Sequence, residues 1–350
     1  MSGNAPKKLI KTAIIGYGYM GQIRHQVIAK NPALELIMVC ENNPNVIGDG
    51  DHPFLVVRDV ERVFASDADL VFVCTPNNRS APLAIEFLRR GKHVFCEKPP
   101  GRCLQDVLDI REQEKRLPHC KLMFGFNHRF HPGIQRAKQL IAQGKLGEIL
   151  WLRGLYGKSG GKYFKESWRN NQEISGGGIL LDQGIHMLDL FYYFCGEFEE
   201  IKCFASNRYW GFDLEDNAFV ILKNSKGQNA MLHSSATFWK HRFHLEIGLE
   251  KGYIIVKGLL SKTGSYGRET LVVGRQQFED EADAIGNPSE EITYFDKDLS
   301  WELEVNKMVN AIQNDSPIQE STSLDACKVM KIVESAYYDG QVYQFGKKES

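Results

Sequence analysis

No stretch of the chain approaches the ~20 consecutive apolar residues that a bilayer-spanning helix needs. The richest run, Leu190-Phe191-Tyr192-Tyr193-Phe194-Cys195, is far shorter. An excess of one charge is missing too: 43 Lys and Arg stand against 44 Asp and Glu, a formal net charge of −1 over 350 residues. Bulk electrostatics therefore draws this protein neither to nucleic acid nor to an anionic membrane. The eight cysteines include no Cys-x-x-Cys pair, and no histidine spacing resembles a zinc or iron set, so no metal is expected. Cys40, Cys74 and Cys96 close apolar runs that read as buried strands, and the cysteines are expected as reduced core residues. Lys7, Lys8 and Lys11 precede no long apolar region, because Thr12-Ala13-Ile14-Ile15 runs straight into glycines. A signal peptide is not expected, and a cytoplasmic location is. Internal repeats and low-complexity tracts are absent.

What remains is a composition of globular type, 43% hydrophobic and 25% charged, long enough for about two domains. Short β-branched runs at Thr12 to Ile15, Leu36 to Cys40, Leu70 to Cys74, His93 to Cys96 and Leu122 to Phe126 alternate with helix-period segments. Leu83, Ala84, Phe87 and Leu88 form one helical stripe, and Leu104, Val107 and Leu108 another. This is the pattern of a parallel sheet covered by helices on both faces. Beyond a helix carrying Ile134, Ala137, Leu140 and Ile141, strand-like segments dominate, among them Asn217 to Leu222, Met231 to Ser235, Phe243 to Leu249 and Tyr253 to Lys257. Helices over about 299–313 and 324–338 close the chain. The expected fold class is α/β: a Rossmann dinucleotide-binding domain over 1–130, then a domain over 131–350 with an open, mainly antiparallel sheet. The terminal helices of the second domain can pack back on the first.

Directly after the first strand stands Gly16-Tyr17-Gly18-Tyr19-Met20-Gly21, a G-x-G-x-x-G ahead of a helix with Ile23, Val27 and Ile28. Gly16 suits a tight turn, Gly18 a close backbone approach to a pyrophosphate, and Gly21 close packing of helix on strand. Tyr19 and Met20 belong to the same loop and count with it as cofactor contacts. Glu41 follows Gly21 by twenty positions at the end of the second strand, where a carboxylate can accept the hydroxyls of an adenosine ribose. The same carboxylate repels a 2′-phosphate, and no Arg or Lys stands beside it, so NAD is favoured over NADP. The alternatives are an ordinary βα turn and a solvated Glu41.

Thr75-Pro76-Asn77 and Glu97-Lys98-Pro99-Pro100 follow two further strands, at the edge where a doubly wound sheet binds ligands. Lys98, between an apolar strand and two prolines, is either fixed there for function or paired structurally with Glu97 or another carboxylate. In the second half, Gly176-Gly177-Gly178 leads into Ile179-Leu180-Leu181-Asp182-Gln183-Gly184-Ile185-His186. If that segment is helical from about Leu180, Asp182 and His186 stand at i and i+4 on one face. The spacing alone leaves His186 equally open to catalysis and to a structural pairing with Asp182.

Taken together, the glycine loop, Thr75-Pro76-Asn77, Glu97-Lys98-Pro99, Gly125-Phe126-Asn127-His128-Arg129 and Gly177-Gly178 before Asp182-x-x-x-His186 resemble the Gfo/Idh/MocA oxidoreductases, a family that includes glucose-fructose oxidoreductase and inositol dehydrogenases. The resemblance covers most of residues 10 to 195. It implies that Lys98 orients or polarises the reacting hydroxyl or carbonyl, that Asp182 binds substrate and positions the imidazole, and that His186 exchanges the proton. By the same resemblance Thr75, Pro76, Asn77, Ser80, Glu97, Lys98, Asn127, Trp168 and Arg169 lie near the cofactor, while Arg129, Tyr163 and Gln183 join the catalytic residues at the substrate. Ser80 departs from the family, many members of which carry His there, and Glu41 stands where Asp is commoner. Trp239 to Phe243 and Gly264-Ser265-Tyr266-Gly267 look like segments of members associated with sugar-nucleotide or surface-glycan precursor metabolism. The expected activity is NAD-dependent hydride transfer to or from a secondary hydroxyl of a sugar, cyclitol or nucleotide-sugar, in a homodimer or homotetramer formed through the open sheet. Two alternatives stand beside it: a non-catalytic NAD-binding sensor, for which the glycines and Glu41 suffice and against which the retained Lys98, Asp182 and His186 argue, and a lyase or epimerase that uses the same residues through a transient ketone with tightly held NAD.

Overall fold

The computed structural model describes residues 9–47, 51–161, 164–278 and 289–342. The chain divides into two compact units: residues up to Phe126 with Trp301–Cys327, and Asn127–Ser300 with the residues from Lys328 on.

In chain order the first unit runs β1 (Ile10–Ile15), α1 (Tyr19–Lys30), β2 (Leu34–Cys40), α2 (Pro44–Ile47), β3 (Leu55–Val57), α3 (Val60–Phe64), β4 (Leu70–Val73), α4 (Asn77–Arg89), β5 (His93–Cys96), α5 (Leu104–Arg116) and β6 (Leu122–Phe124). Its six strands form one parallel sheet in the order β3-β2-β1-β4-β5-β6. The order reverses direction between β1 and β4, so the C-terminal ends of these two strands flank the crevice of a doubly wound sheet. Every residue of β4 is buried, as a strand covered on both faces requires. The sheet has one strand more than the apolar runs indicate: β3 is three residues long and begins on an exposed Leu55, too little to register as a pattern.

The second unit begins with α6 (Pro132–Ala142), β7 (Ile149–Gly157), α7 (Gln172–Ser175) and α8 (Ile185–Cys195). Then come β8 (Glu200–Ser206), β9 (Asn217–Lys223), β10 (Asn229–Ser235), β11 (Arg242–Leu249), β12 (Gly252–Lys257), β13 (Glu269–Arg275) and β14 (Glu290–Phe295). Eight strands make one sheet, β14-β13-β12-β11-β7-β10-β9-β8, antiparallel except where β10 runs parallel to β7. Alternating burial along β9 gives the sheet one packed and one open face. The helix α8 covers the packed face: a Cβ on Gly154 of β7 would lie 2.5 Å from the Met187 side chain, so only glycine admits the helix at that distance. Two helices close the chain, α9 (Ser300–Gln313) and α10 (Ser323–Asp339). All eight cysteines are free thiols. Among the described residues no helix is long and apolar enough to cross a membrane, and no cluster of His, Cys, Asp and Glu could hold a metal ion.

Candidate active site

The first unit supplies a nucleotide cradle. Gly16 has φ +84, and a Cβ there would lie 2.6 Å from the Cys74 carbonyl oxygen, so the turn out of β1 tolerates no side chain. A Cβ on Gly21 would lie 2.1 Å from the Gly16 oxygen, which is how α1 reaches the strand so closely. Gly18, by contrast, meets nothing within 4 Å. It caps α1 without any side-chain hydrogen bond, and the first turn carries no acid, so the helix presents its N–H groups and positive dipole end to an incoming anion. Glu41 closes the far side: its carboxylate accepts the Tyr17 N–H at 2.7 Å and the Asn43 N–H at 2.8 Å, which fixes the loop and the strand end to each other. These residues fit a dinucleotide. Tyr19 is exposed and Met20 half-buried beside Gly18.

Thr75 and Pro76 stand half-buried at the end of β4, and Asn77 opens α4. Ser80 is buried, its hydroxyl within reach of the Pro76 carbonyl (3.3 Å) and the Thr75 hydroxyl (3.4 Å), so it ties down the β4–α4 turn. Glu97 is buried as well, its Oε1 accepting the Nε–H of Arg24 at 2.6 Å. Lys98 follows it, half-buried, ahead of a cis bond to Pro99.

The second unit supplies a polar cluster on one helix. The segment Leu180–Gly184 is a π-helix that runs into α8, which corrects the expected regular α-helix from Leu180. Such insertions occur often at functional sites because the extra residue re-aims its neighbours. Asp182 has further partners besides its place beside His186 on the helix face. Lys158 Nζ donates to Asp182 Oδ2 at 2.5 Å, and Arg169 Nε donates to Oδ1 at 3.2 Å; Gln183 adds a contact at 3.3 Å. One buried carboxylate thus carries two cationic side chains. His186 lies flat on the ring of His128, centroids 3.7 Å apart and planes at 18°.

His128 is itself oriented on both sides. Its Nε2 lies 3.0 Å from the Tyr156 hydroxyl and its Nδ1 3.1 Å from Asn127 Oδ1. Burial pushes the Tyr156 phenol well above its ordinary range, with Tyr266 and Asp182 adding to the shift, so the phenol keeps its proton. Asn127 Oδ1 only accepts, so Nδ1 carries a proton and donates to it. Asn127 in turn donates to the Ser300 hydroxyl (3.3 Å), which donates to Asp298 (2.6 Å). The Tyr266 ring stacks on Tyr156, and its hydroxyl donates to Gln183 at 3.2 Å.

Several expected contacts have other occupations. Arg129, expected at the substrate, is buried and grips buried Asp189 through Nε (2.9 Å) and Nη2 (2.6 Å); its guanidinium plane holds the core together instead. Asn127, expected near the cofactor, is the link between His128 and Ser300. Trp168 lies under the guanidinium of Arg169, 4.4 Å from ring centre to carbon. Tyr163 lies outside the described residues.

Sequence reasoning missed Lys158, the orienting role of His128, Tyr156, and a carboxylate under the helix. Glu215 is fully buried and accepts the Gly178 N–H (3.0 Å), the Leu180 N–H (2.9 Å) and the Tyr337 hydroxyl (2.7 Å), while that hydroxyl accepts the Leu181 N–H (3.2 Å). These are the orphan donors of the first helical turn, captured from strand and helix far along the chain. The triple glycine follows from this cap: a Cβ on Gly177 would lie 2.2 Å from the Tyr337 hydroxyl, and one on Gly178 2.3 Å from the Glu215 carbonyl oxygen. No local spacing signals it.

Burial pushes the Glu215 carboxyl from 4.5 to about 7 against the opposing hydrogen bonds of Tyr337 and the backbone. Below about pH 4.5 it is protonated in folded and unfolded chains alike. As pH rises from there towards 7, the unfolded chain ionises first, so folding stability falls by about 3 kcal/mol and then levels off. Glu215→Gln is expected to flatten this part of the profile, as measured by thermal unfolding from pH 4.5 to 8. A wild-type slope in the variant assigns the pH dependence to another group.

Comparisons with known proteins agree with this division of labour. A family model described as the oxidoreductase family, NAD-binding Rossmann fold, matches residues 10–126, and a second, the GFO/IDH/MocA C-terminal domain, matches residues 134–255. Levoglucosan dehydrogenase of Pseudarthrobacter phenanthrenivorans is 30% identical over 213 residues, 56% of this chain and 54% of that protein. Inositol 2-dehydrogenase of Rhizobium meliloti is 27% identical over 244 residues, 65% and 68% of the two. The chain thus spans about half the length of the first of these relatives and two thirds of the second. Among solved structures, levoglucosan dehydrogenase in complex with NADH and levoglucosan superposes with a TM-score of 0.83 at 21% identity, covering 95% of this chain and 97% of that one.

Proposed function

Because the chain belongs to the GFO/IDH/MocA oxidoreductases, whose N-terminal domain is an NAD-binding Rossmann fold, we propose that it is an NAD-dependent dehydrogenase or reductase acting on a secondary hydroxyl or ketone of a sugar, cyclitol or nucleotide-linked sugar. The observation that carries this reading is the cluster of Asp182 and His186 on one helix, the carboxylate held by Lys158 and Arg169 and the imidazole by His128. When bound, the nicotinamide supplies the hydride acceptor or donor. The chain's own groups handle the proton and the oxygen. His186, with an unperturbed pKa of ~6.5 for its residue type, takes the hydroxyl proton in oxidation and returns it in reduction. Asp182 binds a neighbouring hydroxyl and is kept in place by its two cations. By the family resemblance Lys98 is the residue proposed to polarise the reacting oxygen, since an ammonium favours the negative charge that develops as the proton leaves.

The relatives' names support the substrate class: levoglucosan is an anhydrosugar and inositol a cyclitol. A homo-oligomer is part of the same proposal. The open face of the large sheet exposes Phe204, Phe219, Ile221, Met231 and Trp151, which the strand register aligns on one side, and a second copy is the occupant this reading assigns to them.

Purified protein incubated with NAD and a panel of sugars, cyclitols and nucleotide-sugars is expected to generate the absorbance of reduced nicotinamide with at least one of them. Failure across the panel, with NAD bound, favours the non-catalytic sensor. Stoichiometric NAD that co-purifies, together with substrate conversion but no net reduction, assigns the same residues to chemistry through a transient ketone.

A further inference from the structure

Two large aromatic side chains of the second unit stand together in the open. Tyr209 is 60% exposed and Trp239 59% exposed, and their rings meet edge to face at 4.7 Å and 76°. Exposed aromatics that sit together, rather than singly, mark binding surfaces. This pair is also built rigidly. The buried carboxylate of Asp216 accepts three successive backbone N–H groups, those of Arg208 (3.1 Å), Tyr209 (2.8 Å) and Trp210 (3.2 Å). The indole N–H of Trp210 donates to the Ala236 carbonyl at 3.1 Å, which joins this loop to the one bearing Trp239. Trp239 itself has φ +58, a conformation costly for a bulky side chain and one that persists where surroundings enforce it.

The wall is continuous with the candidate site. Trp210 packs edge to face on Phe164 at 4.8 Å and stacks on Phe212, and both phenylalanines line the same cleft as Lys158, Arg169 and Asp182. Tyr209 in turn meets the Trp210 ring edge to face at 5.2 Å, so a chain of aromatic contacts runs from the exposed pair to the lining of that cleft.

We infer that Tyr209 and Trp239 form an outer subsite that stacks a second sugar ring, glycosidically joined to the ring that reacts. A pyranose offers an apolar face of C–H bonds and a rim of hydroxyls, and an aromatic corner with a phenol and an indole N–H at its edges complements both. Exposed Arg208 and Lys240 add donors beside the two rings. The substrate class narrows accordingly, from sugars in general to disaccharides and longer glycosides. This inference rests on the sugar-oxidoreductase reading above.

The test compares D-glucose with cellobiose and N-acetylglucosamine with chitobiose, on the full-length protein with NAD, in wild type, Trp239→Ala, Tyr209→Ala and the milder Trp239→Phe. For the disaccharide of the active pair, KM is expected to rise about tenfold in each alanine variant, corresponding to the loss of one stacking contact, while the monosaccharide constants stay put and Trp239→Phe remains near wild type. Equal effects on both sugars, or none on either, overturn the subsite. Calorimetric titration with the disaccharides reads binding without turnover. If wild type oxidises neither pair yet binds a disaccharide that Trp239→Ala does not, the subsite stands and the catalytic reading falls. Sedimentation of the alanine variants supplies the remaining arm: dissociation of an assembly in step with the loss of binding makes the pair a subunit contact and overturns the proposal.

Discussion

Replacing His186 with alanine is expected to lower turnover of a sugar substrate by about 10²- to 10⁴-fold, the usual contribution of a positioned acid–base group, with NAD affinity unchanged. The side chain is buried, so it gains little from solvent, and its ring lies flat on His128, which is held from both nitrogens by Tyr156 and Asn127. Such a platform sets the plane of the imidazole. Alanine removes the proposed proton carrier but not the cap on the helix, because the bonds of Glu215 and Tyr337 go to backbone N–H groups. The measurement is stopped-flow absorbance of the nicotinamide with a saturating sugar, alongside a fluorescence titration of NAD. Turnover within threefold of wild type would transfer the proton to another group. His128→Asn serves as the companion variant. It is expected to lower kcat less than His186→Ala and to do so by disturbing orientation, with the residual activity still dependent on His186.

The second large effect concerns folding. Arg24 has no exposure at all; its Nε donates to Glu97 at 2.6 Å and its Nη2 to Glu304 at 2.8 Å, with the guanidinium above the rings of Phe95 and Trp301. Arg24→Met leaves two carboxylates buried with their shared cation gone, a loss of about 3–5 kcal/mol, comparable to a large part of the stability of an ordinary domain. Urea unfolding of the variant measures this directly. The double variant Arg24→Met, Glu304→Gln is expected to recover part of the loss by removing one of the stranded charges. A decrease below about 1 kcal/mol for the single variant would show that water enters and solvates the acids. The cluster also ends one residue short of Lys98, so the same variant tests whether the ion pair fixes the edge of the nucleotide cradle.

How much of this was legible in the sequence depends on the range of the interaction involved. The parallel sheet reads well because a strand buried on both faces is a run of apolar residues, as in Leu70–Val73, and the glycine loop reads well because its constraint lies within six consecutive positions. Asp182 and His186 are visible as a pair, but the π turn between them is not, since it arises from how Gly178, Leu180 and Leu181 are capped by Glu215 and Tyr337. Arg129 shows the limit from the other side. A motif marks the residue without saying which acid it meets, and Asp189, sixty positions on, takes both of its forked donors. Lys158 sits at the start of a glycine-rich loop whose path no periodicity reveals, yet it donates to Asp182 at 2.5 Å.

The tie between Arg24 and Glu304 spans 280 positions of sequence. During synthesis, the first six strands leave the ribosome long before the acid that completes their buried ion cluster, so Arg24 waits for its second carboxylate until 280 further positions have been made. Excising the N-terminal segment as a free-standing nucleotide-binding fragment would make that waiting state permanent. A fragment that restores Trp301–Cys327 through a short engineered linker would be the smaller version of this protein able to close its own core.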